Sequence, residues 1–258
     1  MSGNSQRHIV VLKLEGLYRR LFMFFWAKKS TSFLMTEYPK SGGSWLTTML
    51  AEIAGIDFPR NKFPSDRESA FQGHYIKAYG QKRVVVLWRD PRDIVVSYYF
   101  HSVVGNSHTN PVHVESLRAS IGISKPENVK EELPKFIDYM FSGSLSPRFT
   151  WNDFFDRWYG EKDAVHVSYE ELHKDAASAL KKISEYLSVD VTEEFILEVV
   201  KNNSFENKTG RKPGEENNGS FARKGIVGDW RNYFTDESLS LFNSYVCGRE
   251  KKLGYSHD

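Results

Sequence analysis

Apolar positions in this chain fall into short continuous runs that alternate with longer stretches of helical spacing. Phe33-Leu34-Met35-Thr36 and Arg83-Val84-Val85-Val86-Leu87-Trp88 are continuous and end at polar or glycine-rich segments, the pattern of strands buried on both faces. They predict strands near 33–38 and 83–88, and weaker runs add strands near 69–74 and 163–168. Between the first two runs, Trp45, Leu46, Met49, Leu50 and Ile53 recur on one helical face. Helices are expected near 45–54, 91–104, 129–141, 150–159, 175–187, 192–202 and 236–252. Such alternation, without repeats or low-complexity linkers, predicts an α/β fold with a central, mostly parallel sheet and helices on both faces. Gly105 to Pro126 and Lys201 to Gly219 read as loops, rich in Asn, Ser, Gly and Pro or charged residues. Loops of that length in a compact domain often act as lids.

The segment Ile9 to Lys29 is amphipathic and stands apart as an N-terminal helical unit, residues 1–30, ahead of a main domain at 31–258. Its run Leu17-Tyr18-Arg19-Arg20-Leu21-Phe22-Met23-Phe24-Phe25-Trp26 is interrupted by cations, so it reads neither as a secretory signal nor as a bilayer span. Two readings stay open, a helix packed on the body of the domain and an interfacial helix in peripheral contact with a membrane.

At 258 residues with 40% hydrophobic and 14% aromatic content, the chain is long enough to bury a full core as one domain. Its one cysteine, Cys247, makes an intramolecular disulfide impossible and suits a reducing, cytoplasmic compartment. A net charge of +2 gives no general affinity for nucleic acid, and no His or Cys spacing points to a metal.

Three segments carry candidate chemistry. Tyr38-Pro39-Lys40-Ser41-Gly42-Gly43-Ser44-Trp45 joins a strand to a helix. Its glycines let backbone N–H groups turn inward, the helix start adds partial positive charge, and Lys40, Ser41 and Ser44 complete an anion cradle. Lysine precedes the glycines here, whereas the Walker pattern of nucleotide triphosphatases places it after them. Arg89-Asp90-Pro91-Arg92-Asp93 follows the second strand run, with Asp90 and Pro91 in the cap and first-turn positions of a helix. Arg89 and Ser97 are placed to meet one phosphate beyond the carboxyl ends of the strands. Phe221-Ala222-Arg223-Lys224-Gly225-Ile226-Val227-Gly228-Asp229-Trp230 adds two adjacent cations beside flexible glycines.

In this order, the three segments resemble the sulfotransferases that use 3′-phosphoadenosine 5′-phosphosulfate (PAPS), above all their cytosolic and bacterial small-molecule branch. That family carries a Tyr-Pro-Lys-Ser-Gly-x-[Thr/Ser]-Trp loop for the 5′-phosphosulfate. It also carries an Arg-[Asn/Asp]-Pro-x-Asp…Ser-Tyr-Tyr segment for the 3′-phosphate and a late Arg-Lys-Gly-x-x-Gly-Asp-Trp loop. Val167-Ser168-Tyr169-Glu170-Glu171-Leu172 and Asn203-Ser204-Phe205 extend the likeness. The resemblance implies a single P-loop-like domain, PAPS as co-substrate, adenosine 3′,5′-bisphosphate (PAP) as product, and no metal. It implies that Lys40 meets the bridging oxygen of the donor, that Ser41, Gly42, Gly43 and Ser44 hold its 5′ end, and that Trp45 stacks on adenine. Arg89, Ser97, Arg223, Lys224 and Gly225 would then grip the 3′-phosphate, with Tyr169, Phe205 and Phe221 around the base. Gly43 stands where the family commonly has threonine.

The family's Lys-Thr-His is replaced by Lys77-Ala78-Tyr79, so the expected base shifts to His74 in Phe71-Gln72-Gly73-His74-Tyr75, at the end of the second strand. Imidazole near its ordinary pKa takes a proton from an alcohol or phenol, whereas tyrosine, with a reference pKa of about 10, does so poorly. His101 reads instead as a helix-face residue near the acceptor pocket. The implied activity is in-line sulfuryl transfer to a hydroxyl or amine of a small-molecule or lipid-like acceptor, with His74 as base and Lys40 on the leaving phosphate. A P-loop kinase and a nucleotide-binding protein without transfer activity are the alternatives. The family's dimerisation segment is matched here only at Thr235, which leaves the oligomeric state open.

Overall fold

The computed structural model describes residues 9–25, 31–60, 68–143, 145 and 147–255, with side chains from Leu14 onward in the first helix. Four strands, β1 (Phe33–Glu37), β2 (Ala70–Gly73), β3 (Val84–Trp88) and β4 (Ala164–Ser168), form one sheet in the order β2-β1-β3-β4. All three pairings are parallel, with Leu34 opposite both Phe71 and Val84. The four runs expected from the sequence are therefore strands, each a residue or two shorter than predicted.

Parallel neighbours need crossover connections, and these supply the covering helices. Helices α1 (Ile9–Phe25) and α2 (Gly43–Ala54) flank β1 in the chain, and α3 (Pro91–Tyr99), α4 (Pro111–Ile121), α5 (Val129–Phe141) and α6 (Trp151–Trp158) lie between β3 and β4. Beyond β4 come α7 (Tyr169–Leu187), α8 (Glu193–Asn202), α9 (Phe205–Thr209), α10 (Asp236–Val246) and α11 (Arg249–Lys252). Alternate residues of β3 serve opposite layers. Val84, Val86 and Trp88 join a core with α3, α5, α6 and α10, and Val85 and Leu87 join one with α2, α7 and α8. Full burial of each such side chain contributes roughly 1.5–3 kcal/mol, which is why a slipped register is not tolerated.

Of the two readings of the N-terminal segment, packing is realised on one face. Met23 is fully buried against Leu34 and Phe71, its carbonyl accepts from Gln81 at 2.7 Å, and Arg19 donates to the Gln72 carbonyl at 3.2 Å. Leu14, Leu17 and Leu21 on the same helix are exposed. Lys28 and Lys29 lie outside the described residues.

Five expectations are corrected, one of them the loop at Lys201 to Gly219, which contains the short helix Phe205–Thr209 capped by Ser204. Gly105 to Pro126 is not all loop, because Pro111–Ile121 is helical: Asn110 caps it by accepting from Val112 N–H, Pro111 occupies the first turn, and Gly122 closes it at φ 70°. The predicted helix at 91–104 changes to a π-helical turn over Phe100–Val104. The helix predicted to start at 175 begins at Tyr169, with a kink at Asp175. There the carboxylate caps Ser178, so the predicted start is an internal cap. The predicted helix 236–252 breaks where Cys247 and Gly248 both take positive φ.

Candidate active site

The loop Tyr38–Gly42 leaves β1 at the carboxyl edge of the sheet, where β1, β2 and β3 all end. It turns tightly: Lys40 sits at φ 74° and Gly42 at φ 100°, while the Ser41 hydroxyl donates to the Tyr38 carbonyl at 2.7 Å. Gly42 is required twice over, by its positive φ and because the Tyr169 ring lies 2.8 Å from where a Cβ would stand. Ser41 is 1% exposed and its hydroxyl is spent on the turn, so of the cradle hydroxyls expected from the sequence only Ser44 lines the cavity.

That cavity, about 1310 Å³, brings together Lys40, His74, Arg89, Ser97, Trp45 and Arg223. The Lys40 ammonium lies 4.1 Å from the Phe221 ring centroid, and burial, reinforced by the Arg89 charge, lowers it to about 8. Arg89 locks the first two motifs together by donating to the Lys40 carbonyl at 2.8 Å, and its guanidinium lies 4.3 Å from the Tyr169 ring centroid. Its Nε is buried and makes no hydrogen bond. Asp93, one turn into α3, accepts from the Gly228 and Trp230 N–H groups at 2.7 and 2.9 Å, which fixes the late loop against the second motif. Ser97 follows one turn later on α3 and lines the same cavity.

The late-loop cations are held by carboxylates. Arg223 is bound by Glu216 and Asp229, and Lys224 reaches Asp229 at 3.0 Å and Glu216 at 3.5 Å. Gly225 has φ 62°, and the Phe205 ring fills the place of a side chain there. Trp45 donates its indole N–H to the Asn203 carbonyl at 2.8 Å and meets Tyr169 edge-on at 5.9 Å. Phe221 lines the same cavity, with its ring against Lys40, His101 and His108.

His74 follows β2, and its Nδ1 lies 3.2 Å from the Glu37 carbonyl oxygen. A carbonyl only accepts, so Nδ1 carries the hydrogen and Nε2 is left as the proton acceptor. Burial lowers the imidazole to about 4, well below the ordinary value expected from the sequence, which keeps it neutral at physiological pH but makes it a weaker base. His101 lines the cavity too and takes a hydrogen bond with the Asn106 amide at 3.0 Å. Among the described residues, no group of three or more His, Cys, Asp or Glu side chains is placed to hold a metal ion.

Several cavity residues escaped the sequence reading. His173 stands 4.4 Å from Tyr169 and 5.5 Å from Trp45, ring to ring, a position implied by its i+4 spacing from Tyr169. Arg60 reaches the Ser44 hydroxyl at 3.4 Å. Glu37 and Gln72 share a hydrogen bond of 2.8 Å beneath the cradle, and a glutamate ending an apolar strand was the visible signal.

The family model for the sulfotransferase domain matches residues 78–254, and the chain belongs to that family. The matched span starts beyond the Lys40 loop and His74. The amine sulfotransferase of Oryctolagus cuniculus is 30% identical over 179 residues, 62% of this chain but only 52% of that protein, so the match spans about half the relative's length. Sulfotransferase 6B1 of Danio rerio is 24% identical over 264 residues, 87% of this chain and 81% of that one. Among solved structures, mouse sulfotransferase SULT7A1 complexed with PAP superposes with a TM-score of 0.68 at 23% identity, covering 94% and 90% of the two chains. Retinol dehydratase in complex with androsterone and PAP gives 0.58 at 16% identity, covering 88% and 82%. At those identities the likeness establishes the fold.

Proposed function

We propose that this protein moves a sulfuryl group from PAPS to a hydroxyl or amine of a small-molecule or lipid-like acceptor and releases PAP. The observation that carries the reading is one cavity in which a strand-to-helix anion cradle, Lys40, Arg89 and an aromatic group of Trp45, Tyr169 and Phe205 converge. That donor set fits an adenosine carrying anions at both the 3′ and 5′ ends. The buried, unpartnered Nε of Arg89 is the kind of donor an anion satisfies.

In this reading PAPS supplies an activated sulfuryl group, and the protein supplies position and charge. Lys40, Ser44 and the Gly42–Trp45 amides hold the 5′ end, with Lys40 meeting charge on the departing phosphate. Arg89 and Ser97 bind the 3′-phosphate, and Arg223 and Lys224 reach it by exchanging Glu216 and Asp229 for that anion. Trp45 stacks on the base, and Tyr169, Phe205 and Phe221 frame it. His74 accepts the acceptor's proton at Nε2. The reading requires no metal.

Calorimetric titration with PAP, with ATP plus magnesium, and with adenosine 5′-monophosphate tests the donor assignment. PAP is expected to bind far more tightly than the others. A preference for ATP turns the reading towards a kinase. PAP binding without desulfation of PAPS across phenols, alcohols and amines turns it towards a non-catalytic binding protein.

A reducing, cytoplasmic setting belongs to the same proposal, supported by the exposed, unpaired Cys247. So does a peripheral membrane contact through α1, supported by the exposed Leu14, Leu17 and Leu21. Flotation with anionic vesicles is expected to carry the full chain. Recovery of the protein in the vesicle-free fraction overturns the membrane contact.

A further inference from the structure

The cradle of this protein contains a carboxylate of its own. Glu37, the last residue of β1, is 3% exposed, and one of its oxygens accepts the Gly43 N–H at 2.6 Å, at the start of α2. The other accepts the Gln72 side-chain amide from β2 at 2.8 Å. A Cβ built on Gly43 would overlap that carboxyl group and the Met35 methyl. Glu37 and Gly43 therefore form one spatial unit, with the glutamate filling the volume a side chain at 43 would take.

The charged and titratable surroundings of Glu37 are few. Lys40 faces it from the loop and Arg89 from the end of β3. His74, after β2, is neutral and bonds to its backbone carbonyl. Arg19 on α1 reaches the Gln72 carbonyl. On α7, Tyr169 packs on Gly42 and Arg89 instead. Burial pushes the Glu37 carboxyl up to about 7, against the two hydrogen bonds and the two cations that favour its charged form.

We infer that Glu37 is a proton-linked competitor for the anion cradle, releasing the Gly43 N–H by taking up one proton when the 5′ end of the donor enters. The inference rests on the PAPS reading above. As a carboxylate, Glu37 holds an amide that the donor's anion would use and offsets the charge of Lys40. Two anions sharing one low-dielectric cradle repel each other. A single proton from solvent converts the carboxylate to a neutral acid, which keeps an oxygen for Gln72 and offers an O–H towards the donor. Donor affinity then falls with rising pH, approaching a factor of about ten per unit above the Glu37 titration.

Calorimetric PAP binding at pH 6.5, 7.5 and 8.5, in two amine buffers of different ionisation heat, reads the proton uptake directly. Wild type is compared with Glu37→Gln and Glu37→Ala, so that titration of PAP itself cancels in the difference. Wild type is expected to take up close to one proton more than either variant at pH 7.5 to 8.5, and to lose roughly 25-fold more affinity across the series. Equal uptake and parallel pH profiles in wild type and in whichever variants bind overturn the inference and leave the PAPS reading standing. Absence of PAP binding in wild type overturns both.

Discussion

His74 Nδ1 lies 3.2 Å from the backbone carbonyl oxygen of Glu37, a contact that can form only with the hydrogen on Nδ1. The bond sets the tautomer and leaves Nε2 with its lone pair, while burial holds the ring neutral by lowering it to about 4. His74→Ala is expected to lower transfer at saturating donor by about 10²-fold while leaving PAP affinity within about twofold. Because the folded value lies below the ordinary one, the neutral form persists as pH falls through 6.5 and is lost only near 4. The acid limb of the wild-type rate at saturating donor should accordingly be absent at pH 6. A limb centred near 6.5 that His74→Ala abolishes would mean the ring is not buried as described.

Arg89 is tested by discrimination more than by affinity. Its guanidinium is anchored by the Lys40 carbonyl and by Asp93 at 3.8 Å, so it arrives at the cavity with little freedom left to lose. Wild type should prefer PAP to adenosine 5′-monophosphate, and Arg89→Ala should bind the two about equally. If the variant keeps the wild-type preference, the 3′-phosphate is held elsewhere.

Much of this arrangement was legible because it is local. The strand runs, the Asp90 cap with Pro91, and the Lys40 and Gly42 turn each depend on residues close in sequence, and each formed as read. The helix Pro111–Ile121 was missed although Asn110-Pro111 and Gly122 are start and stop signals, because its apolar positions are sparse: only Val114 is buried. The carboxylate grip on Arg223 and Lys224 depends on Glu216, brought back by a turn in which Asn217 N–H donates to the Arg223 carbonyl at 3.1 Å. Sequence spacing carries no sign of that return. Glu37 was passed over for a different reason, since the space it fills is visible only once Gly43 is placed above it.

Asp93 joins two motifs that lie more than a hundred residues apart. Its carboxylate satisfies Gly228 and Trp230 N–H groups and stands beside Arg89, all in a buried setting. Asp93→Ala leaves two backbone donors and a guanidinium without that partner, with an expected loss of about 3–5 kcal/mol of stability. Chemical denaturation would register the loss, and PAP affinity should fall with it as the late loop loosens. A stable variant with unaltered PAP binding would show that the loop is held by other contacts.

Charge on Glu37 has a stability signature separate from any ligand. Its folded value is raised from 4.5 to about 7, so its favourable contribution is complete below pH 4.5 and is lost as pH rises through 7. A shift of that size corresponds to roughly 3 kcal/mol. Glu37→Gln should therefore match wild type near pH 4.5 and exceed it in unfolding free energy by up to that amount at pH 8. A constant difference between the two across the range would mean Glu37 does not titrate in the folded protein.

The pairing of Glu37 with Gly43 can be isolated by a double-mutant cycle. In the wild-type background, Gly43→Ala drives a methyl into the Glu37 carboxyl and breaks the bond to the Gly43 N–H. Overpacking and a disturbed buried carboxylate together should cost about 2–3 kcal/mol. In a Glu37→Ala background the same methyl enters the space the carboxyl has left, and the terminal methyl of Met35, which it would also meet, has that space to swing into. Alanine also favours the first turn of α2 over glycine by up to about 1 kcal/mol, so the substitution should become neutral or stabilising. The coupling between the two sites is then about 2 kcal/mol or more, read from denaturation of the four proteins. Additive effects, with Gly43→Ala costing the same in both backgrounds, would show that residue 43 is glycine because of the Met35 methyl and not because of the volume of the glutamate.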